Sequence, residues 1–258
     1  MTDRPFCYNK QLIDSVDAII PRIGASVTDY GCIVVRQFEI MRIFTTAKSQ
    51  TISRARNKLR SLQILSKAGV GLPRTVMANH PKDVEQLIDL VGSPPVVIKL
   101  LEGTQGIGVV LAETAKATKA TIEAFTGLKQ NVLVQKYIAE SKGTDVRAFV
   151  SGNQAVGITR QQGPEGEFCS NLHRGGSAMA IELTPEIETT AFEATKALGL
   201  RVAGVDMLLS NRGPLVMEVN SSQGLEGIEK ATGRNITADI IAFVEEKIRA
   251  DENDVVGV

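Results

Sequence analysis

A chain of 258 residues with 43% hydrophobic content has enough material for a sizeable core and more than one folding unit. Lys+Arg and Asp+Glu each number 29, so no net field draws the protein to nucleic acid or to an anionic membrane. Three cysteines without a Cys-x-x-Cys pair exclude a disulfide framework or zinc site as the first reading, and without a membrane-length apolar run or signal-peptide core the cytoplasm is expected.

Residues 1–15 carry no pattern. Ala18-Ile19-Ile20 predicts a short strand. Residues 28–42 predict a helix, with Ile33, Val34, Phe38 and Met41 at helical spacing, and Ile43-Phe44-Thr45 a second short strand. These strands are too few to close a sheet, so residues 1–50 read as a fragment of an α/β unit. One helix is expected from about 52 to 68, stopped by Gly69. Its basic residues, Lys58 among them, read mostly as a solvated face. A strand near 75–78 and a helix over 82–91 follow.

The next stretch, Val96-Val97-Ile98-Lys99-Leu100-Leu101-Glu102-Gly103-Thr104-Gln105-Gly106-Ile107-Gly108-Val109-Val110-Leu111, reads as strand, glycine loop, strand. Glycine lets a ligand approach the backbone closely, and successive free N–H groups attract phosphate oxygens. The G-x-x-G-x-G spacing matches neither common nucleotide fingerprint. Because a strand follows the loop, a phosphate would lie under a hairpin flap. Lys99 sits in an apolar run, where a bare ammonium is costly and a phosphate would supply its partner. An ordinary hairpin with a glycine bulge and a snorkelling lysine explains the same residues, and the loop alone does not choose.

Residues 116–125 predict a helix and 131–138 a strand, so the order from 75 onward is β-α-β-β-α-β, a compact α+β module. Strands are then expected at 145–150 and 155–160, and a helix over 184–198 entered through Thr184-Pro185-Glu186. Strands at 202–209 and 215–221 and helices near 225–232 and 237–249 complete the chain. A tail, 251–258, is expected to fray.

The last two strands are joined by Ser210-Asn211-Arg212-Gly213-Pro214, a hairpin-length link. If Leu209 pairs with Leu215, Asp206 lies opposite Glu218, and Asn220 shares Glu218's face. Two facing carboxylates repel, and a hard divalent cation held with the amide oxygen relieves that. A surface hairpin with a wet polar face is the plainer reading. The Asp–Glu pair favours the metal, since a plain hairpin has no reason to carry it.

Pro21-Arg22-Ile23-Gly24, Arg54-Ala55-Arg56-Asn57-Lys58, the glycine loop, Ser170-Asn171-Leu172-His173-Arg174-Gly175-Gly176, Asp206 and Glu218-Val219-Asn220 occur in one order. Together they resemble the ATP-grasp ligases, most nearly the RimK-type branch, which adds glutamate to the C-terminal tail of a ribosomal small-subunit protein. The resemblance implies an α+β fold of two lobes clamping ATP behind a truncated N-terminal α/β segment. Residues 1–50 would be the pre-ATP-grasp remnant, 51–140 the nucleotide-clamping lobe and 141–250 the catalytic lobe. It implies nucleotide contacts from Lys58, Lys99, Glu102, Gly103, Gly106, Gly108, Lys136, Tyr137, Asp145, Cys169, Ser170 and Asn171. Asp206, Glu218 and Asn220 would ligate Mg2+ or Mn2+, two ions in all. Arg160 and Arg174 are the candidate catalytic cations, for holding a carboxylate or stabilising transferred charge. Glutamate and an acidic protein tail are the implied substrates, in a homo-oligomer with no direct nucleic-acid or membrane contact.

The chain departs from the family pattern at Lys136, where glutamate is usual, and at Cys169 and Gln161-Gln162, where arginines are usual. A ligase for a small peptide or cofactor, and a nucleotide-binding remnant without turnover, are the alternatives.

Overall fold

The computed structural model describes residues 6–13, 15–78, 84–101, 108–163 and 177–255. Phe6–Tyr8 (β1) and Gln11–Ile13 (β2) form a hairpin turned through Asn9 and Lys10, both at positive φ. Strands this short show no alternation, which is why the sequence gives no sign of them. Ala18–Ile19 (β3) pairs in parallel with Phe44–Thr45 (β4) across the helix Thr28–Ile40 (α1), as expected of the fragment.

The helix expected over 52–68 is two helices, Ser49–Arg56 (α2) and Lys58–Lys67 (α3). Asn57 breaks them with an extended backbone, and its side chain accepts from the Arg60 N–H at 2.9 Å, capping α3. Both helices bury an inward face through Ile52, Ala55 and Leu65, so apolar periodicity runs through the break and hides it. The consequence is functional: Lys58 falls in the first turn of α3.

Thr75–Ala78 (β5), Val84–Val91 (α4), Val96–Leu100 (β6), Val109–Ala112 (β7), Ala115–Gly127 (α5) and Val132–Lys136 (β8) follow the predicted order. Their antiparallel sheet runs β5-β8-β6-β7. One face buries Val96, Ile98, Val132 and Val134 against Leu87 of α4 and Ile122 of α5. The other carries Lys99 and Gln135.

The larger sheet is built from Thr144–Ser151 (β9), Gln154–Gln162 (β10) and Ser177–Ala180 (β11), then, after Pro185–Leu198 (α6), Val202–Ser210 (β12) and Gly213–Asn220 (β13). Its order is β11-β10-β9-β12-β13, antiparallel throughout. β11 was not foreseen, because Ser-Ala-Met-Ala lacks β-branched residues. Val146, Ala148, Val205 and Met207 pack on Ile187 and Ala191 of α6. On the opposite face, Phe149 and Val202 pack on Glu226–Thr232 (α7) and Ile236–Val255 (α8) through Ile228, Ile236 and Ile240. α8 runs on into the segment expected to fray. Among the described residues no helix is long and apolar enough to cross a membrane.

Candidate active site

The β12–β13 register sets one wall of the site. Asp206 lies opposite Glu218 and Gly204 opposite Asn220. The premise used to reach that pairing is off by one, since Leu209 faces Pro214 and Leu208 faces Leu215. A bulge between Asp206 and Met207 restores the predicted pair. Asp206 is buried at 6% exposure. Its two oxygens accept from Arg147, Nε to Oδ1 at 2.6 Å and Nη2 to Oδ2 at 2.8 Å, a bidentate pair. The Asn220 amide nitrogen donates to Asp206 Oδ2 at 3.4 Å.

Arg147, on β9 directly across from Asp206, was missed by sequence reasoning. Burial works against its charge, but Asp206, by charge and hydrogen bond, and then Asp145 and Glu218 hold the guanidinium pKa above its ordinary value. Asp145 lies two residues away on the same face, is buried, and its charge acts on Arg147.

The smaller sheet supplies the opposing wall. Lys99 Nζ donates to Gln135 Oε1 at 2.7 Å, Gln135 Nε2 to Thr75 Oγ1 at 2.9 Å, and Thr75 Oγ1 to the Pro73 carbonyl at 2.8 Å. This chain fixes the orientation of the Gln135 amide and presets the lysine. The expected partner of Lys99 was a phosphate; the protein itself provides a neutral one. Lys58 Nζ donates to the carbonyls of Leu100 (3.3 Å) and Leu101 (3.4 Å), where the glycine loop begins. Burial lowers its pKa, and Glu218 opposes that shift.

Glu218 is where the walls meet. It keeps access to solvent while protein surrounds it. Removal from bulk water, and then the neighbouring Asp206 charge, raise its pKa, while Lys58, Lys99 and Arg147 pull it down. Lys58 from α3, Lys99 from the small sheet and the carboxylates of the large sheet thus act on one another.

Other predicted residues stand elsewhere. Arg160 does not join the cluster: it pairs with Val146, whose side chain packs toward α6, while Thr159 pairs with Arg147. Alternation along β10 therefore puts Arg160 on the far face, exposed. The Lys136 ammonium turns to the carbonyls of Gly92 (2.7 Å) and Ser93 (2.9 Å) at the end of α4, which accounts for a cation where the family has glutamate. Its backbone N–H donates to Arg74, and that of Tyr137 to Pro95. Gly108 has φ +74°, and an added Cβ would fall 2.4 Å from Leu100 Cδ1, so this corner of the hairpin requires glycine. Glu102, Gly103, Gly106, Cys169, Ser170, Asn171 and Arg174 lie outside the described residues.

Asp206, Glu218 and the Asn220 amide oxygen are hard donors of the kind Mg2+ or Mn2+ takes, so the donor set fits such an ion. Among the described residues no three His, Cys, Asp or Glu side chains form a complete cage. Water and phosphate oxygens would complete the shell, as is usual for magnesium at a nucleotide.

The sequence matches the model of the RimK-like ATP-grasp domain over residues 55–244 and of the RimK PreATP-grasp domain over residues 2–52. A probable alpha-L-glutamate ligase of Picosynechococcus sp. is 62% identical over 243 residues, 94% of this chain and 81% of that protein. One of the same name from Pseudoalteromonas translucida is 60% identical over 238 residues, 92% and 79% of the two chains. Among solved structures, a RimK domain protein ATP-grasp from Sphaerobacter thermophilus gives a TM-score of 0.65 at 22% identity, covering 90% of this chain and 82% of that one. The ATP-grasp ligase PsnB, complexed with a phosphomimetic variant of minimal precursor, Mg and ADP, gives 0.67 at 22% identity, covering 86% and 68%. At that identity the two structures speak for the fold alone. With two converging walls, an ATP-grasp fold and a family match over most of its length, the chain belongs to the RimK-like ATP-grasp ligases.

Proposed function

We propose that this ligase adds glutamate to the acidic C-terminal tail of a ribosomal small-subunit protein, using ATP and Mg2+ or Mn2+, with two ions at the site. The observation that carries the nucleotide part is the placement of Lys58 against the Leu100 and Leu101 carbonyls, at the mouth of the glycine loop, and of Lys99 on the neighbouring strand beside Gln135. Glutamate is taken from the naming of the relatives, and the acceptor from the resemblance to the RimK-type branch.

A carboxylate cannot form an amide at neutral pH with hydroxide as leaving group. In the proposed reaction, an acceptor carboxylate oxygen attacks the γ-phosphorus of ATP, the bond to the β–γ bridging oxygen breaks, and ADP departs. The glutamate amine then attacks the acyl carbon, phosphate leaves with the bonding pair, and the nitrogen releases its proton to solvent. Transfer of this kind asks the protein mainly for positioning and charge neutralisation.

Lys99, preset by Gln135, and Lys58, at the mouth of the glycine loop, would hold the phosphates beside the N–H groups of Gly103, Gly106 and Gly108. Asp206, Glu218 and Asn220 would hold the metal, which as a Lewis acid supplies charge neutralisation at phosphate oxygens. Arg147 orients Asp206. Lys136, Tyr137 and Asp145 would line the nucleotide, Cys169, Ser170 and Asn171 would cover it, and Arg174 would take the acceptor carboxylate. Arg160, on the far face, has no part.

Mass spectrometry of candidate acceptor peptides incubated with protein, ATP, Mg2+ and glutamate tests the reading. Peptides lengthened by glutamate, with ADP formed in step, support it. ADP formed equally without acceptor, or no lengthened product from any acidic tail, rejects it.

A further inference from the structure

Away from the cleft, a cavity of about 280 Å3 opens on the seam between the N-terminal segment and the large lobe. Thr45, Thr46, Lys48, Gln50, Thr51 and Arg54 line one side, and Gly199 and Arg201, from the α6–β12 turn, the other. Three basic residues and no acidic one therefore line one small space, Arg54 half-buried and Lys48 and Arg201 exposed. Among the described residues, Lys48, Arg54 and Arg201 enter no ion pair. Arg201 is held in place by stacking on Phe44, its guanidinium carbon 4.9 Å from the ring centroid. Glu39 reaches the same end of α2, but its carboxylate accepts from the Ser49 N–H and hydroxyl and does not line the cavity.

A second observation comes from the threonines. The Thr45 hydroxyl donates to the Ala47 carbonyl at 2.9 Å, and that of Thr51 to the Lys48 carbonyl at 2.7 Å. Thr46 is just as buried, at 3% exposure, yet its hydroxyl makes no hydrogen bond among the described residues. Its oxygen opens on the cavity rather than into the packed interior, where water or a ligand oxygen can reach it.

We propose that this cavity binds a phosphoryl oxyanion, a site separate from the nucleotide cleft. A multiply charged tetrahedral group can take charge-assisted bonds from several directions at once, which three separate cations and a hydroxyl supply. Bound there, it would tie residues 45–54 to the 199–201 turn and stabilise their seam.

Titration calorimetry with inorganic phosphate at constant ionic strength, on the full chain, tests this. Lys99→Met serves to mark binding in the nucleotide cleft. Phosphate binding that survives Lys99→Met, and weakens about tenfold in Arg54→Gln and Arg201→Gln and less in Thr46→Val, is the expected result. Lys48→Gln, on the exposed rim, gives the same reading should an arginine variant fail to fold. Phosphate affinity unchanged by every cavity variant overturns the proposal. So does a triglutamate peptide whose binding depends on these residues while that of phosphate does not.

Discussion

The two walls of the cleft keep their charges in different ways. On the small sheet, Lys99 is held by a neutral amide that is itself anchored through Thr75 to Pro73. On the large sheet, Asp206 is held by a full countercharge, the bidentate Arg147. A neutral holder fixes a cation without itself cancelling the charge. A charged holder does the reverse: Asp206 is stable where it stands and its field is largely spent on Arg147. Glu218, on the same sheet as the buried Asp145, is the carboxylate on which both lysines act.

Breaking the ionic holder should have the largest effect. Arg147→Met leaves a buried carboxylate without its countercharge and should cost about 3–5 kcal/mol in urea unfolding with chelator present. Arg147→Met with Asp206→Leu should recover much of that loss. Equal loss in single and double variants would mean the pair is not what stabilises this strand.

Next in size is the charge on the opposite wall. Lys99→Met should weaken ADP binding by about tenfold or more while the fold survives, because the Gln135 amide it releases keeps its bond to Thr75. Gln135→Leu removes the holder and keeps the charge. It should cost about 1–3 kcal/mol of stability with a smaller change in ADP affinity. If Gln135→Leu harmed ADP binding more than Lys99→Met, the division between holder and charge would be wrong.

The Lys58 shift gives a pH signature. Its folded pKa lies below the ordinary lysine value, so the folded state binds that proton less tightly than the unfolded chain. Its contribution to stability therefore rises as pH climbs from the lowered pKa toward 10.5. Nucleotide binding should move the other way, weakening over the same range as the ammonium is lost. Lys58→Arg should abolish that decline, and a decline of unchanged size would assign it to another group. The smallest effect is local: Asn57→Ala should cost about 1 kcal/mol in thermal unfolding by uncapping α3.

How much of this could be read from the chain varied with the range of the interaction. The β-α-β-β-α-β module and the Thr184 cap of α6 are local and were visible. The Asp206–Glu218 pair was reached through a register that was one residue off, and a bulge, which leaves no trace in hydrophobic patterning, corrected it. Arg147 was invisible as a partner because β9 and β12 are far apart in sequence, though the alternation Asp145-x-Arg147 could have marked a polar face. Gln135 had a signal, a polar residue within the apolar run Val132-Leu133-Val134. Arg160 was misplaced because residue type was weighed without strand parity. The break at Asn57 was overlooked because both helices bury apolar faces, although an asparagine N-cap is a recognised start signal.

The central claim is that the lysine wall and the carboxylate wall serve one metal–nucleotide site. Calorimetric ADP titrations with and without Mg2+ address it most directly, in the native chain and in Glu218→Gln. The account predicts that Mg2+ strengthens ADP binding in the native chain and that this gain is largely lost in the variant. A gain of the same size in both proteins would contradict it.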